Sequence, residues 1–267
     1  MTYTFGAHTA LIRPPPSESN SAGAQTRAFA LIDAAQLKGR MKKPLQRVVP
    51  NALGALLFEE TFAKSALDLS PVLFALSDDP GLLVEQISAL DAVCHQLPVM
   101  SILHSTLALG QLVEHLRGLL LIEADEAPYL LRFADSQMLV AVNSVLTSAQ
   151  RASFFSGVQS WFIVDHQARL HDAADRRLNE RTIPGVQLSL KLDAAQTHAL
   201  LDAAAIPALA SQVRNLEPTF EQKLSHAQQT EFISTCVAAA TEAGITDDTE
   251  FTLLALERWR AEEQRRA

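Results

Sequence analysis

The segment HLRGLLLIEADEAPYLLRFADSQML, His115 to Leu139, followed by FFSGVQSWFIVD, Phe154 to Asp165, decides how the chain is read. An apolar helical stripe ends at Leu116, and an unbroken apolar run, Leu119 to Ile122, follows as a strand. The acidic turn Asp125-Glu126-Ala127-Pro128 reverses the chain, and Tyr129 to Ala134 returns. Met138, Val142 and Val145 stripe the next helix, Thr147 caps another, and Trp161 to Val164 closes the block as a strand. The order is helix, strand, turn, strand, helix, helix, strand.

Outward from this block the pattern continues. Phe29 to Asp33 is a short apolar run ending in an acid, the mark of a buried strand, and Val72 to Leu76 and Val99 to Leu103 read the same way. Between them Leu83, Ile87, Leu90, Cys94 and Leu97 recur at helical spacing, and Leu109, Leu112, Val113 and Leu116 do so again. Alternating strands and helices predict a mixed α/β lobe over residues 27–167, with at least one antiparallel hairpin. Residues 1–26, with three consecutive prolines and a polar tail, read as a flexible arm, and the polar, basic residues 168–185 as a linker. Residues 186–267, after one weak strand from Val186 to Leu190, read as an all-helical lobe. Asp193 with Gln196 and Asp247 with Glu250 start helices there, and Gly244 stops one. Phe232, Ile233, Cys236, Val237 and Ala240 share one arc, and Phe251, Leu254, Ala255 and Trp259 another.

Composition narrows the function classes. The 267 residues allow one large domain or two smaller ones, and 48% apolar with 19% charged residues is globular. Twenty-two basic against thirty acidic side chains give a net charge of -8, with no basic face of the kind that neutralises phosphates, so nucleic acid is excluded as a partner. Cys94 and Cys236 stand far apart and outside any metal or redox spacing, which is reducing-compartment usage. The chain opens without a secretory leader pattern and contains no apolar run of about 20 residues, so the expectation is a cytoplasmic protein without stable membrane insertion.

Signatures of catalysis are missing: there is no GxSxG elbow, Walker loop, GxGxxG turn, HExxH or EF-hand pattern. No catalytic, cofactor-binding or metal-binding residue is therefore named. His166 and His171 with Asp165 and Asp172 fit no common metal spacing. Cys94 and Cys236 fall on core stripes and read as small packed residues.

Three positions carry two readings each. His115 projects onto the polar side of its helix, either solvated or in contact with a partner. In the strand Tyr129 to Ala134, alternation puts Tyr129, Leu131 and Phe133 on one face and Arg132 on the other. If both faces are covered, Arg132 needs a carboxylate, Asp135 or another, and the alternative is that it contacts a partner. Trp161 is either core or a binding anchor.

The block also resembles a known family, the effector-adaptor chaperones of the bacterial type VI secretion system (Tap or TEC type, "domain of unknown function 4123"). Their hallmark runs approximately HLRRLLLV, then FRFYDPRVL, then FFGPV and a Trp. His115, Leu116 and Arg117 match the first motif, with Gly118 for the usual Arg. Arg132, Phe133 and Asp135 match the second, with Ala134, Ser136 and Gln137 for the usual Tyr, Pro and Arg. Phe154-Phe155 keeps the aromatic pair of the third, and Trp161 follows. The likeness spans Phe29 to Val164, and Ala243 to Glu257 is similar to the family's closing helices. It implies a non-enzymatic cytoplasmic adaptor without a cofactor. Such an adaptor binds the N-terminal or transmembrane region of one cognate effector and helps load it on the VgrG spike. His115, Arg117, Arg132, Phe133, Asp135 and Trp161 are then the motif or partner-binding candidates. The rival classes are an enzyme with a substrate cleft between the lobes and a structural subunit of the secretion machinery.

Overall fold

The computed structural model describes residues 25–37, 49, 51–94, 97–124, 127–164, 170–174, 190–245 and 247–266. These fall into two compact units, one ending at Thr197 and the other beginning at His198.

The first unit is mixed α/β. Its main sheet holds β1 (Arg27–Ile32), β2 (Leu53–Leu56), β3 (Val72–Ala75), β4 (Met100–Ser105), β7 (Val158–Val164) and β8 (Leu170–Asp172), in the order β2-β3-β1-β4-β7-β8. Every neighbouring pair in it is antiparallel. The helices here return the chain along antiparallel neighbours. A second sheet holds β5 (Leu121–Ala124), β6 (Ala127–Leu130) and β9 (Leu190–Leu192) in the order β6-β5-β9. In it β5 pairs antiparallel with β6 and parallel with β9. The predicted hairpin is thus present, in this smaller sheet. Leu170–Asp172 falls within the stretch read as a linker and pairs with β7, while Leu190–Leu192 pairs with β5.

Central position explains the composition of β1. Covered on both faces, it reads Phe29-Ala30-Leu31-Ile32 with no polar alternation, and all four are fully buried. Ala28, Ala30 and Ile32 share a core with Phe74, Ile102 and the stripe of α1 (Pro80–Cys94): Leu83, Ile87, Leu90 and Cys94. Asp79 starts α1 by accepting from Leu82 N at 2.8 Å, so Pro80-Gly81 forms its first turn. The other face of the sheet carries Ser101 and Trp161, against which residues of α2 (Leu109–Gly118), α3 (Ser136–Val145) and α4 (Ser148–Phe154) are arranged as described below.

The second unit begins within α5 (Ala194–Leu216), whose first four residues belong to the α/β unit. It continues with α6 (Pro218–Lys223), α7 (His226–Glu242) and α8 (Asp248–Arg266), packed together. Val213, Phe220, Ile233, Cys236, Ala255 and Trp259 form its core, with Phe220, Phe232 and Trp259 in mutual edge contacts 5.1 to 5.9 Å apart. The punctuation expected from sequence is used: Asp193 and Gln196 cap each other, and Asp247 Oδ1 accepts from Thr249 N and Glu250 N. Gly244, at φ +75°, ends α7 in a left-handed turn in which Ile245 N donates to Ala240 O at 3.0 Å.

Candidate functional site

The signature motifs converge on one side of the main sheet, through three groups of contacts. The first is aromatic. Phe133, Phe154, Phe155 and Trp161, all buried, lie with ring centroids 5.0 to 6.1 Å apart, mostly edge to face as their quadrupoles prefer. Trp161 Nε1 donates to Ser101 Oγ at 2.9 Å, which satisfies the one polar atom of that ring. Trp161 is core, and so is Phe133.

His115 joins this cluster. Its Nε2 lies 2.9 Å from the carbonyl oxygen of Phe154, and since that oxygen only accepts, Nε2 carries the proton. Burial pushes its pKa down, while the bond to Phe154 pulls the other way. The expected polar, solvated position is corrected: the ring is half-buried and latches α2 to the end of α4. Gly157, at φ +74°, turns the chain directly after this latch, and its Cα sits so close to Leu107 that a Cβ would lie 2.6 Å from Leu107 Cδ1. Glycine is required there by both conformation and space.

The second group is polar. Asp33 ends β1 and accepts on Oδ2 from Arg132 Nη2 at 3.1 Å and from Gln36 Nε2 at 3.0 Å. Gln36 Nε2 also reaches Asp135 Oδ2 at 3.1 Å, which lies 3.8 Å from Arg132 Nη2. Asp135 caps α3, accepting on Oδ1 from Gln137 N and Met138 N. Burial, then the neighbouring Asp33, raises the Asp135 pKa, and Arg132 and the two backbone N–H groups work against that rise. Sequence alternation had placed Arg132 in a strand, with Asp135 or another carboxylate as its partner. The strand ends at Leu130, Arg132 is 50% exposed, and the nearer partner is Asp33, 99 residues away in sequence. Losing an ion pair with one end in water costs on the order of 1 kcal/mol, less than the several of a fully buried pair.

The third group is centred on Arg117, whose side chain is largely buried. Nη2 donates to the Leu56 carbonyl at 3.1 Å, and Nη1 donates to Glu114 at 2.9 Å and Glu60 at 3.4 Å. Glu59 lies 3.8 Å away. Arg117 thereby fastens α2 to the edge strand β2.

Five of the six candidate side chains thus hold elements of the α/β unit together, and the sixth, the half-exposed Arg132, joins the two buried carboxylates Asp33 and Asp135. Sequence reasoning missed Gln36, Glu59, Glu60 and the strand β2. Asp33 had a signal, an acid ending an apolar run, but nothing local linked it to Arg132. Among the described residues no three His, Cys, Asp or Glu side chains gather as a metal site, and no helix is long and apolar enough to cross a membrane. His171 and Asp172 lie on β8, where Asp172 Oδ1 accepts from Trp161 N and Ala174 N; Asp165 and His166 fall outside the described residues. Apolar surface is exposed at Leu53 and Phe62 near the β2 edge, and at Tyr129 and Leu130 on β6.

Compared with known proteins, residues 28–153 match the model of one family, described as "Domain of unknown function (DUF4123)". The match runs from β1 into α4 and stops just short of Phe154. No curated protein and no solved structure matches.

Proposed function

We propose that this chain is a cytoplasmic adaptor of the type VI secretion type, which binds one cognate effector protein and helps load it on the VgrG spike. The observation that supports this most is the coincidence of two things in residues 28–153: the family match, and the motifs His115-Leu116-Arg117 and Arg132-Phe133-x-Asp135 in order. The geometry is compatible with a binding role. The motif side chains are spent on positioning helices and strands, so they act as a scaffold whose outer surfaces meet the partner. The protein works by holding a polypeptide, without turnover and without a cofactor.

Co-expression with the protein encoded by the adjacent gene tests the proposal. The expected result is a stable complex burying more than about 1,000 Å² in total, with a higher soluble yield of the effector. Neither a complex nor a gain in solubility would overturn it.

A further inference from the structure

The strand β2 is an edge of the main sheet, and its register states which backbone groups face outward. Leu57 N donates to Pro71 O at 3.0 Å, which makes Leu57 and Pro71 a hydrogen-bonded pair. Counting back along the ladder, Ala55 and Leu53 bond toward Leu73 and Ala75, while Gly54 and Leu56 turn their N–H and C=O away from β3. The opposite side of β3 agrees, since Leu76 N donates to Ala28 O and so assigns Phe74 and Val72 to β1. Arg117 Nη2 on the Leu56 carbonyl is the direct sign that this group points outward.

Among the described residues this edge is guarded at its Leu56 end, where Arg117 holds the carbonyl, and at Gly54 it is not. Gly54 has no side chain to obstruct an approaching backbone, and Leu53 beside it is 72% exposed. By the same counting, Leu131 N to Leu120 O places Pro128 and Leu130 on the outer side of β6, where proline has no N–H to offer and blunts the edge. The remaining edges, β8 and β9, are three residues each. Beside β2 stand Glu59, Glu60 and Glu114, three exposed carboxylates around the guanidinium of Arg117, a net negative group among the described residues.

We infer that the outer edge of β2 takes an extended segment of the partner protein as an added strand, with a lysine or arginine of that segment beside Glu59, Glu60 and Glu114. Backbone pairing to Gly54 and to the Leu56 N–H, beside the carbonyl that Arg117 holds, supplies affinity, and the acidic flank selects the charge of the guest. This rests on the adaptor reading and specifies how the effector is held.

The full chain and two variants, each checked by circular dichroism and thermal melting, are titrated with the adjacent-gene effector at low and high salt. Gly54→Pro removes an outward N–H and spares the ladder to β3. Glu59→Gln with Glu60→Gln leaves the strand intact and removes charge. The expected results are about a tenfold loss of affinity for the first, and for the second a smaller loss with a flatter salt dependence. If both variants bind like the parent, the edge-strand inference is overturned and the adaptor reading stands. If the parent itself captures no effector, both fall. A homodimer that Gly54→Pro abolishes would also overturn the inference, because the edge would then be filled by a second copy. Should Gly54→Pro fail to fold, the glutamine pair decides alone.

Discussion

His115 sits in the last turn of α2, and its surroundings make it a latch between a helix and a turn. The imidazole is held neutral, its pKa lowered by burial and only partly restored by the bond to the Phe154 carbonyl. The folded pKa therefore lies below the unfolded one, and the unfolded chain binds the proton more readily. The stability that the neutral ring contributes is fully present above the unfolded value, about 6.5, and is lost as pH falls through the window beneath it. Urea midpoints measured from about pH 7.5 down to about pH 5.5 should fall more steeply for the parent than for His115→Gln, whose amide can still donate to Phe154. Parallel curves would mean that His115 titrates as it does in the unfolded chain. Arg132 shows the opposite limit of residue-level reasoning: its need for a carboxylate was visible, but the identity of that carboxylate was not.

At the scale of elements, glycines separate conformation from packing. Gly157 and Gly244 have nearly the same φ, +74° and +75°, but a Cβ at 157 would strike Leu107 and one at 244 would meet open space. Gly244→Ala should cost about 1 kcal/mol, the strain of a left-handed alanine alone. Gly157→Ala should cost about 2 kcal/mol or more beyond that, since Leu107 or the turn must move. Denaturant unfolding of the two variants checks this, and equal losses would mean that the turn yields freely. The apolar run Leu119 to Ile122 makes a related point. It was read as one strand, yet Leu119 and Leu120 close α2, bonding back to Leu116 and Arg117, and the strand starts only at Leu121. An unbroken apolar run has no period of its own, so it cannot say where a helix stops and a strand begins.

Each unit of the molecule holds one of its two tryptophans, fully buried in both cases: Trp161 in the α/β unit and Trp259 in the helical one. Trp161→Phe and Trp259→Phe each leave a single reporter. Because the α/β unit is much the larger, its unfolding exposes more surface and should follow denaturant with the steeper slope, so the two fluorescence curves should not coincide. Superimposable curves would show that the units unfold as one.

What the sequence determined by itself was local and periodic. Helical stripes, caps at Asp193, Asp247 and Thr147, the stop at Gly244, the hairpin around Pro128 and the mixed α/β class all follow from spacing and from residues whose chemistry acts within a few positions. Tertiary structure alone decided that the main sheet is wholly antiparallel, that the hairpin joins a second sheet with Leu190–Leu192, and that Arg132 pairs with Asp33. It also decided that β2 lies at an edge of the sheet, with Arg117 on its carbonyl. These depend on backbone hydrogen bonds and on partners dozens of residues apart. A backbone N–H or C=O is the same at every position, so only the fold can say which one it meets.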